Sequence, residues 1–277
     1  MKRSIVWLAS YPKSGNTWMR IFLANYLSDS KEPLNINQIQ RFGFGDSKPD
    51  RYMAAAGRRI DINDPEATLQ VRDRVLQGIV ANNADVNFVK THNCRNQAFG
   101  HELIPARYTR QAIYILRNPL DMVLSYARHY GMTHEQTVEF IGRTDSANQA
   151  DATTTWQFLG SWSDHVKDWT QGGAFPVLSL RYEDLLDEPQ THFAKTLEFL
   201  GVPVVPDRLE RAIRFASFDE LKKQEEQSGF QEKSPNSERF FAKGQAGQWK
   251  DDLDPALVTK VRREHKRMMK KHGYYSV

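Results

Sequence analysis

The opening of the chain constrains its fold more than any other stretch. Ile5-Val6-Trp7-Leu8-Ala9 is an apolar run of strand length, and it stops at Tyr11-Pro12-Lys13-Ser14-Gly15-Asn16. From Thr17 to Leu27 the spacing turns helical, with Trp18, Ile21, Phe22, Asn25 and Tyr26 at turn intervals. Strand, Gly-containing loop and helix together form the layout of a phosphate-cradling unit. Backbone N–H groups and the positive end of the helix macrodipole converge there on an anion. Lys13 adds a mobile cation, and Ser14 and Thr17 add hydroxyls. A plain strand–helix connection, with Gly15 supplying only a turn, is the competing reading, and the loop alone does not decide between them. It is not a Walker A loop, which needs Gly, four residues and then Gly-Lys-Ser/Thr. Here Lys13 precedes Gly15, and no strand-ending Asp stands out as a magnesium ligand.

Three more apolar runs follow: Val86–Val89, leading into Lys90-Thr91-His92; Ala112–Leu116, stopping at Arg117-Asn118-Pro119; and Phe175–Leu180, before Arg181-Tyr182-Glu183-Asp184. Helices are predicted over Pro65–Ala81, Asp121–Tyr130, Thr154–Trp169, Pro189–Leu200 and Asp207–Phe215. Short buried strands alternating with helices indicate an α/β fold, a central parallel sheet flanked by helices, with a P-loop-like phosphate-binding loop. Arg41–Gly57 reads as irregular and Leu221–Glu238 as a mobile loop, neither linker-like enough to separate domains. Residues 1–277 are therefore expected to form a single domain.

Composition removes several function classes. With 40% hydrophobic and 26% charged residues, the chain is not wholly disordered. No run approaches the roughly 18 apolar residues of a membrane helix. The run after Met1-Lys2-Arg3 is too short for a signal peptide, so a cytoplasmic address is expected. Cys94 is the single cysteine, which excludes an internal disulfide framework and a Cys-rich zinc site. His129 and His134 lie five apart, off the i, i+4 spacing of a helical zinc pair, and no metal is expected. Residues 255–277 hold seven Lys or Arg against Glu264, so this stretch carries +6 and the rest of the chain −2 within the net +4. That stretch reads as a solvated helix face, with too few aromatics for a nucleic-acid platform.

Five segments, in order, resemble the sulfotransferases that use 3′-phosphoadenosine 5′-phosphosulfate (PAPS). Tyr11-Pro12-Lys13-Ser14-Gly15-Asn16-Thr17-Trp18 is similar to that family's 5′-phosphosulfate loop, and Lys90-Thr91-His92 to its Lys-Thr-His, which carries a catalytic histidine. Arg117-Asn118-Pro119-Leu120-Asp121, continuing to Ser125, resembles the 3′-phosphate motif. Tyr182-Glu183-Asp184 resembles the Tyr-Glu-Asp near the nucleotide, and Lys243-Gly244-Gln245-Ala246-Gly247-Gln248-Trp249-Lys250 the C-terminal phosphate loop. Phe218 matches the family's adenine-contacting Phe, although a core role suits it equally. The family usually carries Arg-Lys-Gly where this chain has Ala242-Lys243-Gly244; Gln245 or Arg239 are candidate substitutes for the missing cation. The opening and the Val89-Lys90-Thr91-His92 step look especially like bacterial small-molecule sulfotransferases.

The resemblance implies PAPS as co-substrate, its product adenosine 3′,5′-bisphosphate (PAP), and sulfuryl transfer to a hydroxyl or amino group of a small molecule or glycan. His92 would be the general base, with Lys13 and Lys90 as cations at the transferring group. Lys13, Ser14, Gly15, Asn16, Thr17, Trp18, Arg117, Ser125, Tyr182, Phe218, Lys243 and Gly244 would bind the nucleotide. A guanidinium such as Arg117 offers a planar fork suited to phosphate. Two rivals stay open: a P-loop-type kinase, and a non-catalytic nucleotide-binding module of the same fold. A Cys94 nucleophile has no supporting Gly-x-Ser-x-Gly elbow or other acyl-transfer motif. The acceptor's identity is not encoded legibly, and a monomer and a homodimer are equally compatible with the sequence.

Overall fold

The computed structural model describes residues 3–276. In chain order, β1 is Ser4–Ser10, α1 Asn16–Ser28, β2 Gly43–Gly45, α2 Pro49–Ala56, α3 Pro65–Val80, β3 Val86–Thr91 and β4 Thr109–Leu116. There follow α4 Pro119–Tyr130, α5 His134–Gly142, α6 Trp162–Gln171, β5 Val177–Arg181, α7 Tyr182–Asp187, α8 Pro189–Phe199 and α9 Pro206–Phe215. The chain closes with α10 Phe218–Ser228, α11 Trp249–Asp252, α12 Pro255–Glu264 and α13 Lys266–Lys271. The five strands form one sheet in the order β2-β3-β1-β4-β5, and β1 and β2 both pair parallel with β3. This is an α/β fold.

Contacts divide the chain into two compact units. The first comprises residues 1–11, 43–114 and 140–179 and holds most of the sheet. Every residue of β1 is buried, as a strand covered on both faces requires, and Trp7 donates its indole N–H to Thr109 Oγ1 at 2.8 Å. β3 alternates buried and half-buried residues along its length. Helix α3 starts where Asp64 accepts from the N–H groups of Glu66 and Ala67, with Pro65 at its first position. Its stripe of Leu69, Val71, Val75, Leu76 and Ile79 is buried, and it packs on β1 and β3.

The second unit comprises residues 12–42, 115–139 and 180–277. Its core includes Phe22 stacked on Phe193 at 3.9 Å between ring centroids. Helix α4 is capped by Asn118, which accepts from Leu120 N–H, and ends at Gly131 in the left-handed region, φ 66°. The C-terminal basic stretch is helical, as expected, with Arg263, Lys266, Arg267, Lys270 and Lys271 exposed.

Four expectations need correction. The helix expected over Thr154–Trp169 is instead a short strand, Gln157–Phe158, paired antiparallel with Ala147–Asn148, followed by α6. Gly160, at φ 66°, breaks the chain direction, and Ser161 restarts it as an N-cap accepting from Asp164 N–H. The expected mobile loop at Leu221–Glu238 is half helix, α10. Its buried face shows no apolar period because one of its two buried positions, Leu221 and Glu225, is a carboxylate. Arg41–Gly57 holds β2 and α2, which bury too little, chiefly Tyr52, to leave a pattern. β5 begins at Val177 rather than Phe175, since Pro176 has no N–H for a ladder; its carbonyl still accepts from Ala112 N–H at 3.0 Å.

Candidate active site

In the second unit, the loop between β1 and α1 carries two residues with positive φ, Lys13 at 67° and Gly15 at 102°. Gly15 is the N-cap of α1, and no side chain caps the helix there. A Cβ on Gly15 would stand 2.7 Å from Tyr182 Cδ2, so only glycine admits the Tyr182 ring. Ser14 is fully buried, and its hydroxyl has no hydrogen-bond partner. A buried hydroxyl left unpaired costs about 1–3 kcal/mol, and a phosphate oxygen is the kind of acceptor that would remove that cost. The Lys13 ammonium lies 4.0 Å from the Phe240 ring centroid and 3.5 Å from His129 Nδ1.

Arg117 is buried at the end of β4. Its fork is engaged by protein: NH1 donates to the Lys13 carbonyl at 3.1 Å, and NH2 to the Gln245 carbonyl at 3.3 Å. Its guanidinium carbon sits 4.5 Å over the Tyr182 ring, and its Nε is buried without a partner. Arg117 is thus a clip between two loops that the sequence assigned to phosphate. The C-terminal loop is also tied by Asp121, which accepts from Gly247 N–H at 2.7 Å and Trp249 N–H at 3.1 Å. At Gly244, φ 60°, a Cβ would fall 2.4 Å from Phe218 Cδ2, so the Phe218 ring lies against that loop's backbone. Trp18 donates its indole N–H to the Ala216 carbonyl at 2.9 Å and meets Tyr182 edge-on.

Other candidates sit less centrally. Thr17 Oγ1 contacts Glu232 Oε2 at 3.4 Å, and Arg20 pairs with the same carboxylate. Asn16 is buried in the first turn of α1, and Ser125 is half-buried on α4. Lys243 is exposed and pairs with Asp252 at 2.7 Å. Arg239 pairs with Glu226, and Gln245 contributes its backbone carbonyl rather than a cation. Sequence reasoning missed Glu225, whose buried carboxylate accepts from Phe240 and Phe241 N–H and so holds the residue beneath Lys13. It also missed the anchoring role of Asp121, although Asp121 lies inside a quoted motif.

In the first unit, β3 ends at Thr91, and His92 is the first residue beyond it. Lys90 is half-buried, on the face of β3 opposite Thr91. The orientation of His92 is set by a specific bond rather than by strand alternation. Its Nδ1 lies 2.8 Å from the Ser10 carbonyl oxygen. A carbonyl only accepts, so Nδ1 carries the proton and Nε2 is the basic nitrogen. The flanking residues are held by Asp46, whose Oδ2 accepts from Thr91 Oγ1 at 2.8 Å, Asn93 Nδ2 at 3.0 Å and Arg72 NH2 at 2.7 Å. Arg72 also donates to the Leu103 carbonyl and to the Tyr52 hydroxyl oxygen. Burial pushes the Cys94 thiol up to about 11, which leaves it protonated and unreactive near neutral pH. Among the described residues, no three His, Cys, Asp or Glu side chains cluster to hold a metal ion.

The sulfotransferase domain model matches residues 3–273. The chain belongs to the sulfotransferase family. Among curated relatives of this sulfotransferase, human sulfotransferase 1E1 is 26% identical over 95% of this chain and 83% of its own. Rat sulfotransferase 1A1 is also 26% identical, over 90% of this chain and 79% of its own. The solved structure of mouse sulfotransferase SULT7A1 complexed with PAP covers 98% of this chain and 86% of its own, with a TM-score of 0.62 at 19% identity. Retinol dehydratase in a complex with retinol and PAP gives 0.65 at 20% identity, covering 98% and 82%. Those likenesses establish that this sulfotransferase has the fold of its family.

Proposed function

We propose that this sulfotransferase transfers a sulfuryl group from PAPS to a hydroxyl or amino group of a small molecule or glycan, with His92 as general base. The observation that carries the reading is the His92 ring, whose bond to the Ser10 carbonyl leaves Nε2 as its basic nitrogen. In the sequence, Ser10 stands three residues before Lys13, so the strand that orients the base runs directly into the phosphate loop. The nucleotide would be held by the Lys13–Trp18 loop, Arg117, Ser125, Tyr182, Phe218, Lys243 and Gly244. The unpaired Ser14 hydroxyl and Arg117 Nε are donors that suit its phosphates.

When bound, PAPS supplies the activated sulfuryl group. His92 Nε2 takes the proton of the acceptor, while Lys13 and Lys90 stabilise negative charge at the transferring oxygens. Neither role calls for a metal. The family match across residues 3–273 supports treating the whole chain as one sulfotransferase domain. Calorimetry with PAP, and separately with ATP, with and without magnesium, tests the nucleotide assignment. PAP should bind without metal and ATP only weakly. Tight binding of ATP that depends on magnesium would favour the kinase reading and overturn this one.

A further inference from the structure

We propose that His165 is a positioning residue for His92, gripping the His92 carbonyl from within the core so that its imidazole is presented in a single orientation. This rests on the reading of His92 as the general base.

His165 lies on α6 and is fully buried. Its Nε2 is 3.0 Å from the His92 carbonyl oxygen, and its Nδ1 is 2.9 Å from the Tyr114 hydroxyl. Since the carbonyl only accepts, Nε2 carries the proton and Nδ1 accepts from Tyr114 O–H. The chain of donors therefore runs from Tyr114 to His165 to the His92 carbonyl, and the His165 ring is held to one tautomer. Ring contacts fix His165 further: Tyr11 meets it edge-on at 5.2 Å, and Tyr114 lies tilted over it at 5.6 Å. One turn along α6, Trp169 donates its indole N–H to the Asn93 carbonyl at 3.1 Å. The helix thus supplies donors to two successive carbonyls, while Asp46 holds the side chains of Thr91 and Asn93.

An aromatic or aliphatic residue would fill this volume without burying two polar nitrogens. Burial lowers the ring's pKa to about 4, so the ring stays neutral and keeps its single N–H near neutral pH. What the histidine adds to packing is that directed donor. A glutamine amide can supply the same pair of groups, an N–H for the His92 carbonyl and an oxygen for Tyr114; a phenylalanine cannot.

The test uses full-length protein labelled with nitrogen-15 and compares wild type with His165→Phe, His165→Gln and Tyr114→Phe. Long-range proton–nitrogen spectra report the tautomer of His92, whose signals are assigned by their loss in His92→Ala. Wild type and His165→Gln should show His92 as one species protonated at Nδ1, whereas His165→Phe should show mixed tautomers or multiple positions. With PAPS and 4-nitrophenol as probe acceptor, kcat should fall about 10- to 100-fold in His165→Phe at a nearly unchanged KM for PAPS. His165→Gln should recover most of that loss. Should His165→Phe fail to fold, Tyr114→Phe keeps the core volume and should still mix the His92 signals. Unchanged His92 signals in the folded variants would overturn the inference. Wild-type turnover in His92→Ala would instead defeat the general-base reading, leaving the spectra to judge the positioning role.

Discussion

The segment Thr91–Asn93 and the loop Lys13–Thr17 carry the two most informative motifs, and they are built in opposite ways. Around His92, distant parts of the first unit close in: Asp46, paired with Arg72, accepts from the side chains of Thr91 and Asn93, and His165 and Trp169 donate to the carbonyls of His92 and Asn93. The Lys13–Thr17 loop in the second unit holds two residues at positive φ and a buried serine hydroxyl without a partner, and Arg117, just beyond β4, has its Nε in the same condition. In the first region the His92 and Asn93 carbonyls and the Thr91 and Asn93 side chains are all paired within the protein, which suits the base proposed there. The second stores polar capacity that an anion can use. Substitutions should therefore cost stability in the first and ligand affinity in the second.

Asp46→Ala should break this comparison most severely if the account is wrong. It leaves the buried Arg72 guanidinium uncompensated, and such losses run to about 3–5 kcal/mol. Denaturant unfolding measures it, and a loss under about 1 kcal/mol would mean the clamp holds nothing. The next effect is a pH dependence. The folded state keeps His165 neutral down to about pH 4, whereas the unfolded chain protonates it near 6.5. The unfolded state binds more protons in that window, so stability is complete above about pH 6.5 and falls by about 3 kcal/mol as the pH drops toward 4. His165→Gln should flatten that component, which unfolding curves at several pH values would show.

In the loop region, Arg117→Ala should weaken PAP binding by about 1.5–3 kcal/mol, the range for a bond to a charged group. Calorimetry with PAP and with its analogue lacking the 3′-phosphate sharpens the point. Equal losses for both would identify Arg117 as the clip seen between the Lys13 and Gln245 carbonyls, with no selective part in 3′-phosphate recognition. The smallest effect belongs to Arg107, half-exposed and paired with Asp73 and Glu102. Arg107→Ala should cost less than about 1 kcal/mol, against the several expected of the buried Asp46–Arg72 pair.

The framework of the fold was legible because its main strands are short apolar runs and its longer helices carry a helical apolar period. β1, α1 and β3 could be placed to within a residue or two, whereas β4 begins three residues before its apolar run. What stayed hidden is polar and long-range. Asp46 lies in a stretch without periodicity, and its meaning depends on Arg72, Thr91 and Asn93, which only the fold assembles around it. His165 was one histidine among eight, on a helix expected to start several residues earlier than it does. Glu225 removed the apolar signature of α10 by occupying a buried position with a carboxylate. Arg117 was found by its motif, but a motif cannot say which way a guanidinium is turned.

The most direct test of the central claim is transfer of label from PAPS, labelled in its sulfuryl group, to a panel of hydroxylated and amino acceptors without added metal. Wild type should label at least one acceptor. His92→Ala should transfer about 10²- to 10⁴-fold more slowly to an aliphatic alcohol while binding PAP nearly unchanged. Absence of labelled product with every acceptor, or a His92→Ala rate within about tenfold of wild type, would contradict the account.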